Sequence, residues 1–558
     1  MSEVKIPLFE RKATGLVREI GPLGLLAITM SYAIGAGINM LSVKNGYLYP
    51  GSNVGLGFLI AGIPVTLVAV CYALLAITIP RSGGAYVFIS RIVSPTWGFL
   101  ASWASWVGGW LLMGIVAYYD GFFWGLMMWT IGLAFHNQPF INTGLWMMKP
   151  INSFWIGVIV LIIALIICSL RMGIVIRILE ALWLIPVIGS IIMLAAYGMH
   201  WGLASANPAA FKAKWDAVMG AGSYDEVMKV ALSHGFDVKT WTTFSWSSTW
   251  LVGTYSAMFA YGSPATPPTA VAGEVKTPTK TQLWGTVIGT ILVVIYYTLV
   301  SALAFGACDP FIRAYTFNFY EGYTKEYTIT PAALPCLPLF AGILSGNMTL
   351  AIVFAVSAAV WLFNVIPTFF LYLTRFIFAW AFDRTFPRIF AEVHPTLRSP
   401  IYANILVFIL AVIACGMCWG WWIYKVFVLL DQVACLGWVF PDLFVALAAA
   451  VLPLVRRDLY KTSPISAWEI AGIPICTIFG ILGFFGISMF VFAIFGLIST
   501  GSVPFGPKIV KSGGVLTADL LFFIASLTIG LVISLIYQYK AAKEGIPVSD
   551  IFREIPPA

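Results

Sequence analysis

Three carboxylates sit inside long apolar stretches of this chain, Asp120, Asp431 and Asp442. Two further apolar stretches are interrupted by glycine and proline, at Ile34-Gly35-Ala36-Gly37-Ile38 and at Phe259-Ala260-Tyr261-Gly262-Ser263-Pro264. These two features offer different chemistry. A charged carboxylate at the centre of a membrane helix costs about 2.5 to 3.5 kcal/mol, so it must face protein or water; one able to hold a proton there suits a proton carrier. Asp431 and Asp442 are eleven residues apart, about three helical turns, and share a face. An interrupted helix offers main-chain chemistry instead. In hydrocarbon an unwound turn persists only where it is buried in protein or lines a cavity, and there its free N–H and C=O groups can hold a ligand.

Groups for covalent catalysis are scarce. Of the four histidines, His136, His200 and His234 fall between the apolar stretches, and His394 lies in a polar segment near one. Cys415 and Cys418 have a short metal-like spacing but sit in an apolar run without histidine or acidic partners, and they read as packing. The Gly-Gly of PRSGGAYVF has no strand before it and no Lys-Ser or Lys-Thr pair after it, which excludes a nucleotide-binding loop. A polytopic membrane enzyme is therefore the weakest reading, and no metal or cofactor is called for. Cys308 and Cys336 share one predicted outer loop and can pair if the outside is oxidising.

The elements that position these residues follow from composition. With 60% hydrophobic and 10% charged residues in 558, the chain lacks the roughly 25% charge of soluble domains and cannot clothe a water-soluble surface. It reads as an all-α polytopic membrane protein whose first partner is the lipid bilayer. Windows of about twenty residues give twelve candidate spans, near 21–45, 54–79, 97–130, 153–171, 178–200, 246–271, 282–307, 348–382, 400–420, 425–453, 468–499 and 518–540. Even parity puts both termini on one side. The short loops there carry most of the basic residues, including Arg81, Arg91, Lys276, Lys280, Arg384 and Arg388, so that side is cytoplasmic and the protein belongs in the cell membrane. The net charge of +8 is scattered singly, which argues against nucleic-acid binding. Met1 to Ile20 is polar and is expected to be a cytoplasmic segment without a secretory signal.

The interruptions fall in the first and sixth spans. Proline at 264, 267 and 268 removes donors and clashes with the preceding turn, so the sixth helix should come apart near mid-membrane, as the glycines allow in the first. Interrupted spans at matching positions point to two inverted five-helix repeats with a site at their interface. The expected division is therefore a first repeat over 21–200, an extracellular loop over 201–245, a second repeat over 246–453, two trailing helices over 454–540 and a cytoplasmic tail over 541–558.

Four segments in order carry a resemblance: IGAGI at Ile34 to Ile38, PRSGGAYVFISR at Pro80 to Arg91, AGEVKTPTKT at Ala272 to Thr281, and TRFIFAWAFDRTFPRIFAEVHPTLRSPIYANIL at Thr374 to Leu406. They resemble the signature segments of the amino acid, polyamine and organocation permeases, from about Gly21 to Arg457. The resemblance implies alternating access to a central site. A substrate carboxylate would rest on the amides of Ala36 and Gly37, where Ile34 and Gly35 open the turn. The ammonium group would meet carbonyls of Phe259, Ala260 and Gly262, with Tyr261 and Ser263 alongside and Phe259 as an aromatic gate. Selectivity would come from Ser263, residues near Gly109 to Ala117, and parts of the eighth and tenth spans. No acidic residue sits in the sixth-span break, so a neutral amino acid is favoured over lysine, arginine or polyamines.

Coupling by H+ or Na+ stays open at this level. Where proton-coupled relatives carry a lysine in the fifth span, this chain has Leu184 or a neighbour. Ser357, Asn364 and Thr368 share one face of the eighth span, and with the carbonyls of Ser31 and Ile34 they suit sodium, as the resemblance allows. Interhelical hydrogen bonding explains the same face equally. Asp120 leads the acidic candidates for a proton. An uncoupled exchanger or facilitator is the alternative function. Glu274 and Lys276, with Arg384 and Arg388, are expected to form cytoplasmic gate contacts.

Overall fold

A computed structural model of the chain describes residues 15–419, 430–500 and 513–556. The described chain is helical apart from one two-residue antiparallel pair, Glu469–Ile470 with Ile473–Pro474. Ten of its helices are long and apolar enough to cross a bilayer. They coincide with the expected spans other than the sixth, which is in pieces, and the eleventh, helix Ile475–Thr500, whose apolar described part ends at Val491.

Helix starts follow local sequence. The second span, Val54–Thr78, is capped by Asn53, whose side chain accepts from the Leu56 amide at 3.0 Å. Asn347 caps the eighth, Met348–Phe382, through the Thr349 amide at 2.9 Å. The third and fourth spans, Pro95–Ala134 and Pro150–Ser169, begin at proline, whose missing N–H costs nothing in a first turn.

Burial sorts the helices. In their most apolar stretches the third span is 78% buried, the broken first 72% and the eighth, the most buried of the other unbroken spans, 67%, against 28% for the fifth and 22% for the twelfth. The third and eighth therefore form the centre, and the fifth and twelfth turn a broad apolar face outward. On the fifth span that face includes Leu184, Ile188 and Ile191, spaced by helical turns. Small residues bring the central helices close: a Cβ on Gly114 would lie 2.4 Å from that of Ala414, and one on Gly157 would lie 2.7 Å from the Ala117 carbonyl oxygen.

The two faces of the bundle close differently. On the face carrying the N-terminal segment, Ile20 pairs with Val275 in a parallel bridge, and the amides of Glu19 and Ile20 donate to the Glu274 carbonyl at 2.9 and 3.0 Å. Buried there, Arg375 grips Glu274 through two bonds of 2.9 and 3.0 Å. Of the residues expected at this gate, Glu274 is thus held by an arginine outside that set, about two turns inside the end of the eighth span. A second buried pair joins Arg91 to Asp383, with Nη2 to Oδ1 at 2.8 Å. The end of the described chain returns to this face, where Arg81 donates to the Pro556 carbonyl and Arg456 to that of Arg553.

On the opposite face, residues 201–245 form a helical cap that includes Pro208–Met219 and Ser223–Ser233. Trp215 is fully buried and packs its ring edge-on to Phe311, centroids 4.5 Å apart, fixing the cap on helix Phe311–Glu321. Cys308 and Cys336 are both buried and both free. Glu226 clamps the following strap by accepting from the amides of Thr328, Ile329 and Thr330 and from the Thr328 and Thr330 hydroxyls. Partial burial alone would push its carboxyl up, but these donors outweigh that and hold it down at about 2.

A carboxylate held below its unfolded value stabilises the fold above that value and loses the contribution as pH falls through the folded one. For Glu226 the window runs from 4.5 down to about 2. Protection of the amides of 328–330, measured against their intrinsic exchange rates at each pH, is expected to fall through that window, and Glu226→Gln to show the lower protection already at neutral pH. Equal protection in wild type and variant at neutral pH would remove the clamp.

Candidate functional site

The first span is two helices. Pro22–Ala33 ends where Ile34 turns to extended geometry, φ −81° and ψ 102°, and helical backbone resumes at Ala36 to run through a wide π-type turn, Gly37–Leu41, into Ser42–Leu48. The resumed helix opens with amides that have no carbonyl in register one turn back. Its first carbonyl is provided for: the Asn39 side chain donates to Gly35 O at 2.9 Å.

The sixth span breaks likewise. Helix Ala257–Tyr261 stops at Gly262, whose φ of +58° and ψ of −143° are open almost only to glycine, and helical backbone returns in Thr266–Ala270. Prolines 267 and 268 stand in the first turn of that second half, where they need no donor. The Gly262 amide reaches both Met258 O and Phe259 O, at 3.1 and 3.2 Å.

The two breaks touch. A Cβ on Gly37 would lie 3.1 Å from Ala260 O, tight enough that a side chain there would push the two breaks apart by a few tenths of an ångström. Tyr297 of the seventh span ties them: its hydroxyl donates to Ala33 O and lies 3.3 Å from Ala260 O. Its ring stacks on Tyr261 at 4.8 Å, and Phe58 stands edge-on to both. Nothing in the sequence singles out Tyr297; a tyrosine in an apolar stretch has many uses.

Against the breaks lies a cavity of about 270 Å³. Gly35, Ala36 and Gly37 line it from the first break, and Phe259, Ala260, Tyr261 and Gly262 from the second. Ile34 and Ser263 are buried outside it, and the Ser263 hydroxyl donates to Asp442 Oδ1 at 2.8 Å. The remaining wall is largely apolar: Leu112, Ile115 and Val116 of the third span, Val365 and Phe369 of the eighth, and Trp438 of the tenth, whose ring is 5.7 Å from that of Phe259, with Tyr32 and Tyr119 adding phenols to it. Gly109, expected near the wall, instead packs on Tyr372. Toward the cap the lining continues through Met40, Lys44, Phe319, Tyr320 and Leu334, with the Lys44 ammonium 4.9 Å from the Tyr320 ring centre. The cavity thus extends from the breaks toward the cap and away from the Glu274–Arg375 pair.

The coupling candidates lie apart from this wall. Ser31 Oγ and the Asn364 amide are buried and have no hydrogen-bond partner among the described residues, whereas Thr368 donates to Val365 O at 2.6 Å. Ser357 donates to Pro186 O and Trp361 to Ser190 Oγ, both at 2.9 Å, so the fifth span meets the eighth through Pro186 to Ser190 while Leu184 points outward. Asp120, the leading acidic candidate for a proton, is fully buried beside Trp124. The Asp431 side chain lies outside the described residues.

A family model described as amino acid permease matches residues 20–537. Among curated proteins, the chain is 38% identical over 91 residues to the large neutral amino acids transporter small subunit 2 of Mus musculus, covering 16% of this chain and 17% of the relative. It is 37% identical over 93 residues to the Asc-type amino acid transporter 1 of Homo sapiens, with the same shares of 16% and 17%. It is 32% identical over 90 residues to the cationic amino acid transporter 4 of Mus musculus, covering 16% of this chain and 14% of the relative. The matched stretch is thus about a sixth of the length of these relatives.

An alanine Cβ at 262 would meet Tyr32 and Trp438 at 3.4 Å or more, ordinary contact, so the cost of Gly262→Ala is conformational. It is expected to destabilise the purified protein by about 1 to 3 kcal/mol and to depress transport by shifting the break. An alanine variant with unchanged melting temperature and transport would show that the turn at 262 does not depend on glycine.

Proposed function

Because the chain belongs to the amino acid permease family, we propose that it is a secondary transporter that carries a neutral amino acid across the cell membrane by alternating access. In this reading twelve spans form two inverted five-helix repeats, 21–200 and 246–453, followed by two further helices. The face of the Glu274–Arg375 pair is cytoplasmic and the 201–245 cap is outside. The observation that carries the reading is the convergence of two broken helices on one apolar cavity. The amides of Ala36 and Gly37 are free donors at the positive end of a helix dipole, which suits a carboxylate. Carbonyls of Phe259, Ala260 and Gly262 suit an ammonium group, and the Ala260 carbonyl keeps a lone pair beyond its contact with Tyr297.

The substrate's side chain then points at Leu112, Ile115, Val116, Val365, Phe369 and Trp438. That wall suits an apolar group. Its described residues include no carboxylate to receive a second cation, and Lys44 repels one, so neutral substrates are preferred over cationic ones. Phe259 against Trp438 closes the cavity over bound substrate. Coupling is to H+ or Na+; the partnerless Ser31 and Asn364, with Thr368 beside them, support sodium, and buried Asp120 supports a proton. Uncoupled exchange is the second reading, favoured by a fifth span that turns Leu184 outward and presents no fixed cation to the first.

Purified protein in liposomes, tested with labelled leucine, alanine, glutamate and lysine, distinguishes these substrate classes. Leucine is expected to exchange fastest and lysine slowest. Leucine amide and N-acetylleucine should each compete more weakly than leucine by roughly 10 to 100-fold, the value of a lost hydrogen-bonded charge. Gly37→Val, if it remains folded, should abolish exchange of every substrate. Undiminished competition by either derivative would exclude a zwitterion held between the breaks.

A further inference from the structure

Asp442 is the one acidic side chain of the described residues that touches a break. It lies in the tenth span, 5% exposed, and accepts from Ser263 Oγ at 2.8 Å and Tyr72 Oη at 3.0 Å. Both bonds fall on Oδ1. Ser263 follows Gly262 directly, so this carboxyl is fastened to the point where the sixth span comes apart. One turn earlier on its own helix, Trp438 packs on Phe259. The group thus contacts the break on one side, and through its helical neighbour it reaches the aromatic wall of the cavity on the other.

A second, smaller void lies against it. About 10 Å³ in volume, it is lined by Met258, Phe259, Gly262, Trp438, Val439, Asp442 and Phe490. That is close to the space one water needs, and the carboxyl supplies a polar partner. Phe259, Gly262 and Trp438 line both this void and the main cavity, so a single layer of side chains separates Asp442 from the substrate space.

We propose that Asp442 is the proton-binding residue of a proton-coupled cycle, loaded from the substrate cavity through this void. The inference rests on the transport reading above and deepens it. The proton leaves a hydronium ion in the cavity, passes by way of one water, and forms an O–H bond at Oδ2, the oxygen that Ser263 and Tyr72 leave open. Charge on the carboxylate is what the two hydroxyls solvate. Neutralising it weakens the hold on Ser263 and so frees the break to change shape, which links proton binding to the helix that carries the substrate's ammonium site. One zwitterion plus one proton moves one positive charge, so accumulation responds to membrane potential as well as to pH.

The surroundings favour this assignment. Tyr72 and Cys71 of the second span and Tyr32 of the first are the titratable groups facing Asp442, and Cys476 of the eleventh stands behind Cys71. No lysine, arginine or histidine is among them, so no fixed cation among the described residues holds the carboxylate permanently charged. Asp120 is equally buried but lines neither cavity.

The test uses the full chain in liposomes with radiolabelled leucine. Wild type is expected to show counterflow and to accumulate leucine under an acid-outside pH gradient, more so with a negative-inside potential. Asp442→Asn is expected to keep measurable counterflow and to lose gradient-driven accumulation by at least about tenfold. Tyr72→Phe keeps the carboxyl but removes one donor, and should displace the pH midpoint of uptake while counterflow persists; it decides the matter if the asparagine variant fails to fold. Three results overturn the assignment but leave the transport reading standing: full proton-driven accumulation in Asp442→Asn, an unmoved midpoint in Tyr72→Phe, or wild-type counterflow that answers only to sodium or to neither gradient. Absence of counterflow for any amino acid in wild type would instead remove the transport reading itself.

Discussion

A main-chain carbonyl that loses its helical partner within hydrocarbon must find another donor, and the Tyr297 hydroxyl does this beside both breaks, against Ala33 O and Ala260 O. One proton shared between two acceptors is a three-centre arrangement of the kind found at helix ends. Its consequence reaches beyond local satisfaction. The two broken helices are held as a pair, with Gly37 against Ala260, so donors at one break and acceptors at the other keep a fixed separation. Asn39 on Gly35 O and Gly262 on its own preceding turn complete the local bonding, and the amides of the resumed first helix remain as the groups with no internal partner. Preorganised main-chain dipoles facing a largely apolar wall are worth more than the same groups in water.

Closure at the opposite ends of the bundle is built from different materials. The N-terminal face uses ion pairs. Glu274 follows the second half of the sixth span and Arg375 belongs to the central eighth, so their bidentate bond joins a broken helix to the rigid centre. Removing either partner would leave the other charge buried and unpaired at a cost of about 3 to 5 kcal/mol, so the two residues act as a unit on that side. The cap face adds aromatic packing, with Trp215 on Phe311, and main-chain clamps from Arg313, itself paired with Asp309 at 2.8 Å, to Gly46 O at 2.8 Å and Ser52 O at 2.9 Å. Arg313 thereby ties helix Phe311–Glu321 to the end of the second half of the first span.

How much of this was legible in the sequence depends on whether backbone or side-chain packing decided it. The breaks were legible because glycine and proline restrict where a helix can continue, and the chain stops being helical at Ile34 and Gly262, within the segments those residues marked. The broad apolar spans were legible for the same kind of reason, since length and hydropathy are local. What each side chain faces is set by rotation of the helix about its axis, and that is decided by neighbours. So Leu184 points outward, Ser263 turns to Asp442 instead of to the cavity, and Gly109 meets Tyr372. Arg375 was hidden inside a stretch apolar enough to count as a span, so the expected gate contacts named Glu274, Lys276, Arg384 and Arg388 and missed it. Tyr297 carries no local signal at all, because its importance comes from two carbonyls on other helices.

The most direct measurement is an experimental structure of the protein in lipid nanodiscs with a neutral amino acid bound. Its carboxylate oxygens should lie within about 3.2 Å of the Ala36 or Gly37 amides, and its ammonium nitrogen within the same reach of a carbonyl between Phe259 and Gly262. A carboxylate resting on Lys44, or an amino acid seated away from both breaks, would contradict a site formed by the two helix ends.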